Sequence, residues 1–263
     1  MTSSALKMYY SATHREFYNK HLQGSCVILG GGHSVKYMDL KNFEGKTIIG
    51  VNLLPFHIDF KNLNVQYNII TQPRIFVPWI LKREMDREFH TVAELYKKLS
   101  ALSAPTYFVH QWAKIFNPRI VNWWPVPNHI WDPDKRIKAL GAFGGAFYSS
   151  LSLARLMGFT DITMVGFDAF TLKKHSHQRW FEFGHGSHST DVDPKAVMFL
   201  KYLISTGIKL RTVGIETSAL VKELEYHEYG DLFSSPPNYK ENQDLLLPEA
   251  YLALQTYKYL KMK

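Results

Sequence analysis

Four histidines lie within fourteen residues of a polar, glycine-containing stretch. His175 and His177 belong to Lys173-Lys174-His175-Ser176-His177; His185 and His188 belong to His185-Gly186-Ser187-His188-Ser189-Thr190-Asp191. Imidazole is the side chain best suited to taking a proton near neutral pH, so one of these histidines is a candidate general base. His-x-His and His-x-x-His also have metal-binding spacing, but no cysteine lies nearby and carboxylates are few, so no metal is expected. At least two of the four also fit a solvated loop. His188 is preferred as the base. Asp191 stands three positions after it, where it would orient the ring and favour its charged form, just before a helix start at Pro194. His185, which follows a glycine, is the second candidate.

Three glycine-bearing segments could face an anion. Gly30-Gly31-Gly32 follows a short apolar run, where backbone N–H groups can approach a phosphate or a ribose; the same turn would also serve simply to close a strand. GGGHSV lacks the spacing of a dinucleotide fingerprint, and no phosphate-loop Gly-Lys-Ser/Thr occurs anywhere. Gly141 to Ala146 opens a helical pattern, so Gly144 and Gly145 could present free amides and the positive end of a helix dipole, or permit close helix packing. Gly166-Phe167-Asp168 follows another apolar run. There Asp168 could hold a ribose hydroxyl, a loop amide or a helix cap.

These groups need a frame, and the frame is legible. Ser25–Leu29, Thr47–Val51, Val65–Thr71, Asp161–Val165 and Lys209–Val213 are short runs rich in β-branched residues, each ending in turn chemistry. Such runs suit parallel strands covered on both faces. Helical periodicity over Ala146–Met157 stops at Gly158; that over Pro194–Thr206 starts behind Asp193 and stops at Gly207. Alternation of the two predicts an α/β fold, a Rossmann-like, mostly parallel sheet with helices on both faces. The segment 79–136, aromatic-rich and broken by Pro105, Pro118, Pro125, Pro127 and Pro133, reads as an insertion acting as a lid. The main domain is expected over 1–224. A linker and a C-terminal helix over Pro248–Leu260 would follow in 225–263.

The chain has 263 residues, 46% hydrophobic and 14% aromatic, enough for a sizeable core and incompatible with disorder or a disulfide scaffold. Its single cysteine, Cys26, allows no internal disulfide and fits a reducing compartment. No secretory signal is legible in residues 1–23, and no apolar run reaches the roughly 20 residues of a membrane span. A cytoplasmic location is expected. The net charge of +8 favours anionic partners. Basic residues are dispersed and no RNA-binding signature occurs, so nucleic acid is not expected. Tyr251, Leu254, Tyr257 and Leu260, with Lys258, Lys261 and Lys263, could rest on the core, on a second copy in a homo-oligomer, or on an anionic membrane.

The motifs taken in order resemble a family. SCVILGGGHSVKYMDL, VNLLPF, YNIITQP, GGAFYSSLSLARLMGFTDITMVGFDAF and GHGSHSTDVDPKAVMFL together resemble the bacterial sialyltransferases with a single Rossmann domain. They also resemble relatives among the motility accessory factors and the hydroxymethylpterin diphosphokinases. The likeness covers about residues 24–224. It implies a glycosyltransferase that takes a sugar, such as a nonulosonate, from a CMP- or other nucleotide-activated donor to a glycan hydroxyl. No cofactor or metal is implied. By this resemblance Gly30, Gly31, Gly32 and Ser34 stand at the family's first nucleotide-contacting turn, with Gly31 replacing its asparagine. Asn52 matches the asparagine after the second strand, Thr71 or Gln72 the polar residue after the third, and Gly144-Gly145 the helix start near the nucleotide. Asp168 falls in the turn after the next strand. The catalytic histidine falls on His185 or His188, ahead of Thr190-Asp191 and Lys195-Ala196. Phe170 stands where the family has a tyrosine that assists the leaving phosphate. Two other outcomes follow from the same likeness: a magnesium-dependent pterin diphosphokinase that needs Asp168, or a Rossmann-type module that binds without catalysis.

Overall fold

The computed structural model describes residues 17–70, 95, 106–110, 120–123, 145–171, 175–176, 179–183, 188–189, 192–216 and 221–255. Ten strands are defined among them. They are β1 (Ser25–Leu29), β2 (Ile48–Val51), β3 (Val65–Ile70), β4 (Thr106–His110), β5 (Ile120–Trp123), β6 (Asp161–Val165), β7 (His175–Ser176), β8 (His188–Ser189), β9 (Lys209–Gly214) and β10 (Glu225–Glu228). Eight form one sheet in the order β10-β9-β6-β1-β2-β3-β4-β5. Every pairing in it is parallel. Without β4 and β5 the order is that of the doubly wound nucleotide-binding folds, in which the chain winds outward from β1, returns, and winds the other way. The return places β6 against β1. A crevice is expected outside the carboxyl ends of those two strands, at the reversal.

Both faces of the central strands are buried, which is why they read as continuous apolar runs. In β1, Cys26 and Ile28 point into one core with Ile49, Tyr67 and Met164, while Val27 and Leu29 point into the other with Ile48, Val165 and Val213. Removing a fully buried side chain such as Ile28 should cost about 2–5 kcal/mol. Helix α1 (Ala146–Leu156) covers β1, β2 and β3, and α2 (Pro194–Ser205) lies on β9. Asp193 caps α2 by accepting from the Lys195 amide at 2.9 Å, with Pro194 at the first helical position. Both helices are followed by a left-handed glycine, Gly158 at φ 86° and Gly207 at φ 86°.

Among the described residues the other face carries no long helix. It is covered by 3₁₀ turns over His33–Tyr37, Leu40–Phe43 and Ile58–Asn62, by Trp180 and Phe181, and by three short helices. These are α3 (Tyr229–Phe233), α4 (Asn242–Leu245) and α5 (Pro248–Gln255). The C-terminal segment crosses this face. Asn238 and Lys240 amides donate to the Tyr37 and Lys36 carbonyls at 2.9 and 2.8 Å, and the Leu247 amide donates to Phe56 at 2.9 Å. Ala250 and Leu254 of α5 are fully buried in the core. The described part of the C-terminal helix therefore rests on the core; Tyr257 and Leu260 lie outside the described residues.

Two expectations about boundaries change. Within the stretch 79–136, Thr106–His110 and Ile120–Trp123 are strands of the main sheet, extending it beyond β3 rather than lying over it. The remainder of the expected lid lies outside the described residues, Leu95 apart. Glu225–Glu228 pairs with β9, so the sheet continues past the expected boundary at 224. No helix among the described residues is long and apolar enough to cross a membrane.

Candidate functional site

At the reversal the loops after β1 and β6 are tied together. The Gly30 amide donates to the Val165 carbonyl at 2.7 Å, the Gly32 amide to Gly166 at 2.8 Å, and the Ser34 amide to Asp168 Oδ2 at 2.9 Å. The Ser34 hydroxyl donates to Asp168 Oδ1. Both residues are buried, Asp168 at 4% exposure and Ser34 at 0%. Of the readings open for Asp168, the loop amide is the one observed.

The glycines divide accordingly. A Cβ on Gly30 would stand 2.6 Å from the Gly166 oxygen, and one on Gly32 would meet that same oxygen at 2.6 Å and the Asp168 carboxylate at 2.5 Å. Close approach of two loops requires glycine at both positions. Gly31 differs: its nearest neighbours would be Arg179 Cδ at 3.9 Å and Phe181 Cε1 at 4.0 Å, ordinary contacts. Its carbonyl accepts from the Trp180 amide at 3.2 Å, and Gly32 forms an antiparallel bridge with Arg179. Arg179, 40% exposed at its side chain and 3.4 Å from Glu182, is thus the cation beside the one open glycine of the turn. It was invisible in the sequence because nothing in Gln178-Arg179-Trp180 marks it; the partnership is across the fold.

Asn52 ends β2 in the left-handed region at φ 52°, a conformation asparagine tolerates better than most residues. Its amide donates to Ile69 at 2.6 Å, its carbonyl accepts from Asn68 Nδ2 at 3.1 Å, and it is 6% exposed. The backbone requirement alone accounts for an asparagine here. Gly145 precedes α1 at φ 87°, exposed, with open space where a Cβ would be. Gly145 has no side chain to cap α1, and no acidic residue lies in the helix's first turn. The two helix starts therefore differ in charge: α2 begins on the Asp193 carboxylate, which also accepts from the Tyr148 hydroxyl at 3.0 Å, whereas α1 begins at a glycine with no acidic residue in its first turn. An anion is favoured only at α1.

The histidine segment forms an antiparallel pair, with His175 opposite Ser189 and Ser176 opposite His188. β7 lies against the 3₁₀ turn Asp168–Phe170, so the backbone of His188 is held one strand away from the turn that ends β6. Phe170 is 4% exposed, with its ring 4.9 Å from that of Phe147 in the first turn of α1. Phe170 is thus a buried apolar contact. Thr71, Gln72, Gly144 and His185 lie outside the described residues.

Two buried titratable groups are unsuited to the role of base. His57 is fully buried, its Nδ1 accepts from the Asp59 amide at 3.1 Å, and burial pushes its imidazole down to about 3. Burial pushes the Cys26 thiol upward, away from the reactive thiolate. Among the described residues no three His, Cys, Asp or Glu side chains converge as a metal site.

No family model and no curated protein matches this sequence. Solved structures do. The Campylobacter jejuni sialyltransferase CstII in complex with cytidine-5′-monophosphate matches over 88% of this chain and 98% of its own, at 15% identity and a TM-score of 0.42. CstII with CMP-3FNeuAc matches over 89% and 99%, at 14% identity and a TM-score of 0.45. A point mutant of the α-2,3/8-sialyltransferase CstII gives 86% and 98%, at 13% identity and a TM-score of 0.44. The chain is distantly similar to these sialyltransferases.

Proposed function

We propose that this chain is a sialyltransferase-like glycosyltransferase that binds a CMP-activated nonulosonate at the carboxyl edge of its sheet and transfers the sugar to a glycan hydroxyl. The observation that carries the reading is the glycine start of α1 at Gly145, whose first-turn Phe147 packs on Phe167 and Phe170 after β6, at the same edge as the Gly31 turn with Arg179 beside it. The amides of a helix start and a neighbouring guanidinium are suited to a nucleotide phosphate that gains charge as it departs.

In this scheme the acceptor hydroxyl oxygen attacks the anomeric carbon of the donor sugar. His188, or His185 in its place, takes the hydroxyl proton as the new bond forms. The bond from sugar to phosphate breaks, and its electron pair leaves with CMP, whose phosphate remains among the α1 amides and the Arg179 guanidinium. No cofactor enters the scheme. Phe170 supplies no hydroxyl, so leaving-group assistance falls to the backbone and Arg179. The diphosphokinase reading draws nothing from Asp168, whose carboxylate is engaged by Ser34.

The test is release of CMP from CMP-sialic acid with a glycan acceptor present. His188→Ala should lower turnover by about 10²- to 10⁴-fold, the usual scale for a general base, while leaving CMP affinity unchanged. Inactivity of His185→Ala with a fully active His188→Ala would move the role to His185. Full activity of both variants would remove base catalysis from this segment.

A further inference from the structure

A second site lies on the sheet face that carries the 3₁₀ turns and short helices, toward the amino ends of the strands. The pairings Val27↔Thr163, Thr163↔Arg211 and Arg211↔Glu225 align four side chains in one row across β1, β6, β9 and β10. The next row toward the carboxyl ends, Leu29, Val165 and Val213, is buried under the core. The Val27 row is left as the floor of a cavity of about 430 Å³, within the range of small-molecule sites. Phe43 and Phe233 wall it, their rings 5.0 Å apart and nearly perpendicular at 81°, and Leu232 stands at the edge with 45% exposure.

The polar lining is unbalanced. Lys46, Lys209 and Arg211 face the cavity against one carboxylate, Glu225. Glu225 is already shared by Lys209 at 3.4 Å, Arg211 Nε at 3.4 Å and His227 Nε2 at 3.0 Å. Arg211 is further fixed by two bonds to Asp161, at 2.5 and 2.9 Å. Lys46, on the connection from β1 to β2, makes no ion pair among the described residues. A cavity walled by aromatic rings, with Lys46 in excess of its paired charges, selects for one kind of guest.

We infer that this cavity binds a small amphipathic anion, with a single carboxylate or phosphate head held by Lys46 and Lys209 and a body of one ring against Phe43, Phe233 and Leu232. The site is separate from the carboxyl edge. Val27 lies three residues before Gly30, roughly 10 Å along an extended strand.

The experiment titrates the full chain with phenyl phosphate, with inorganic phosphate as the head alone and with benzyl alcohol as the body alone, following backbone amide resonances. Phenyl phosphate should saturate shifts at Thr163, Arg211 and His227, at least ten-fold more tightly than either half. Lys46→Glu and Leu232→Asp, both at exposed positions, should each weaken it ten-fold or more with unchanged melting temperature. CMP should neither shift those amides nor displace phenyl phosphate, whether or not CMP itself binds elsewhere. Equal affinities for phenyl phosphate and phosphate, unchanged binding in both variants, or shifts confined to Gly31 and Asn52 would each overturn the assignment.

Discussion

Ser34 gives both its amide and its hydroxyl to the carboxylate of Asp168, 134 residues further along the chain. This is the fastening between the two strands at which the sheet reverses direction. Because both partners are buried, removing the carboxylate leaves two donors without an acceptor, and hydrogen bonds to a charged group are the costly ones to lose. Asp168→Ala should therefore lose about 3 kcal/mol of stability in urea unfolding, and Asp168→Asn less. A loss under about 1 kcal/mol would mean that the fastening is incidental.

The glycine turn separates folding from binding. Gly32→Ala places a methyl 2.6 Å from the Gly166 carbonyl, with backbone on one side and the Asp168 carboxylate on the other. Neither can withdraw cheaply. Gly32→Ala should cost about 2–4 kcal/mol or yield insoluble protein, whereas Gly31→Ala should stay within about 1 kcal/mol of the parent. Differential scanning calorimetry of the two proteins decides this; equal melting temperatures would refute it.

His57 gives the fold an acid limit. Its imidazole is held at about 3 by burial, against 6.5 for an unhindered histidine, so between these values the unfolded chain binds the extra proton. Stability therefore falls as pH drops through this window, by at most about 1.4 kcal/mol per pH unit from this group. His57→Asn keeps an acceptor for the Asp59 amide and removes the titration. The unfolding free energy of His57→Asn should fall less steeply than the parent's from pH 6.5 downward. Asp59, whose carboxyl burial raises, acts in the opposite sense at the acid end and is present in both proteins. Parallel pH curves would exclude His57 as the source.

Much of the frame was legible because buried parallel strands must be apolar on both faces. Ser25–Leu29 and Asp161–Val165 were read to the residue, and Asp193-Pro194 and Gly158 marked helix ends through cap chemistry that is local to the sequence. What escaped was what a neighbour decides. Glu225-Tyr226-His227-Glu228 shows no apolar run because an edge strand has one partner and stays partly wet. Thr106–His110 and Ile120–Trp123 were hidden by the prolines and tryptophans around them. At the site, the glycine-rich turns pointed to Gly30-Gly31-Gly32 and Asp168 and the resemblance pointed to Asn52, but neither to the division of labour. That Gly30 and Gly32 pack while Gly31 stays open, and that Arg179 stands beside it, depends on contacts made by residues far apart in sequence.

Calorimetric titration of the full chain with CMP tests the central claim most directly. The account predicts saturable binding of one CMP per chain, weakened at least ten-fold by Arg179→Ala and abolished by Gly31→Asp, which sets a carboxylate where the phosphate would lie, with the fold retained in both. Absence of heat with CMP, and equally with CDP, UDP and GDP, from a folded protein would contradict it.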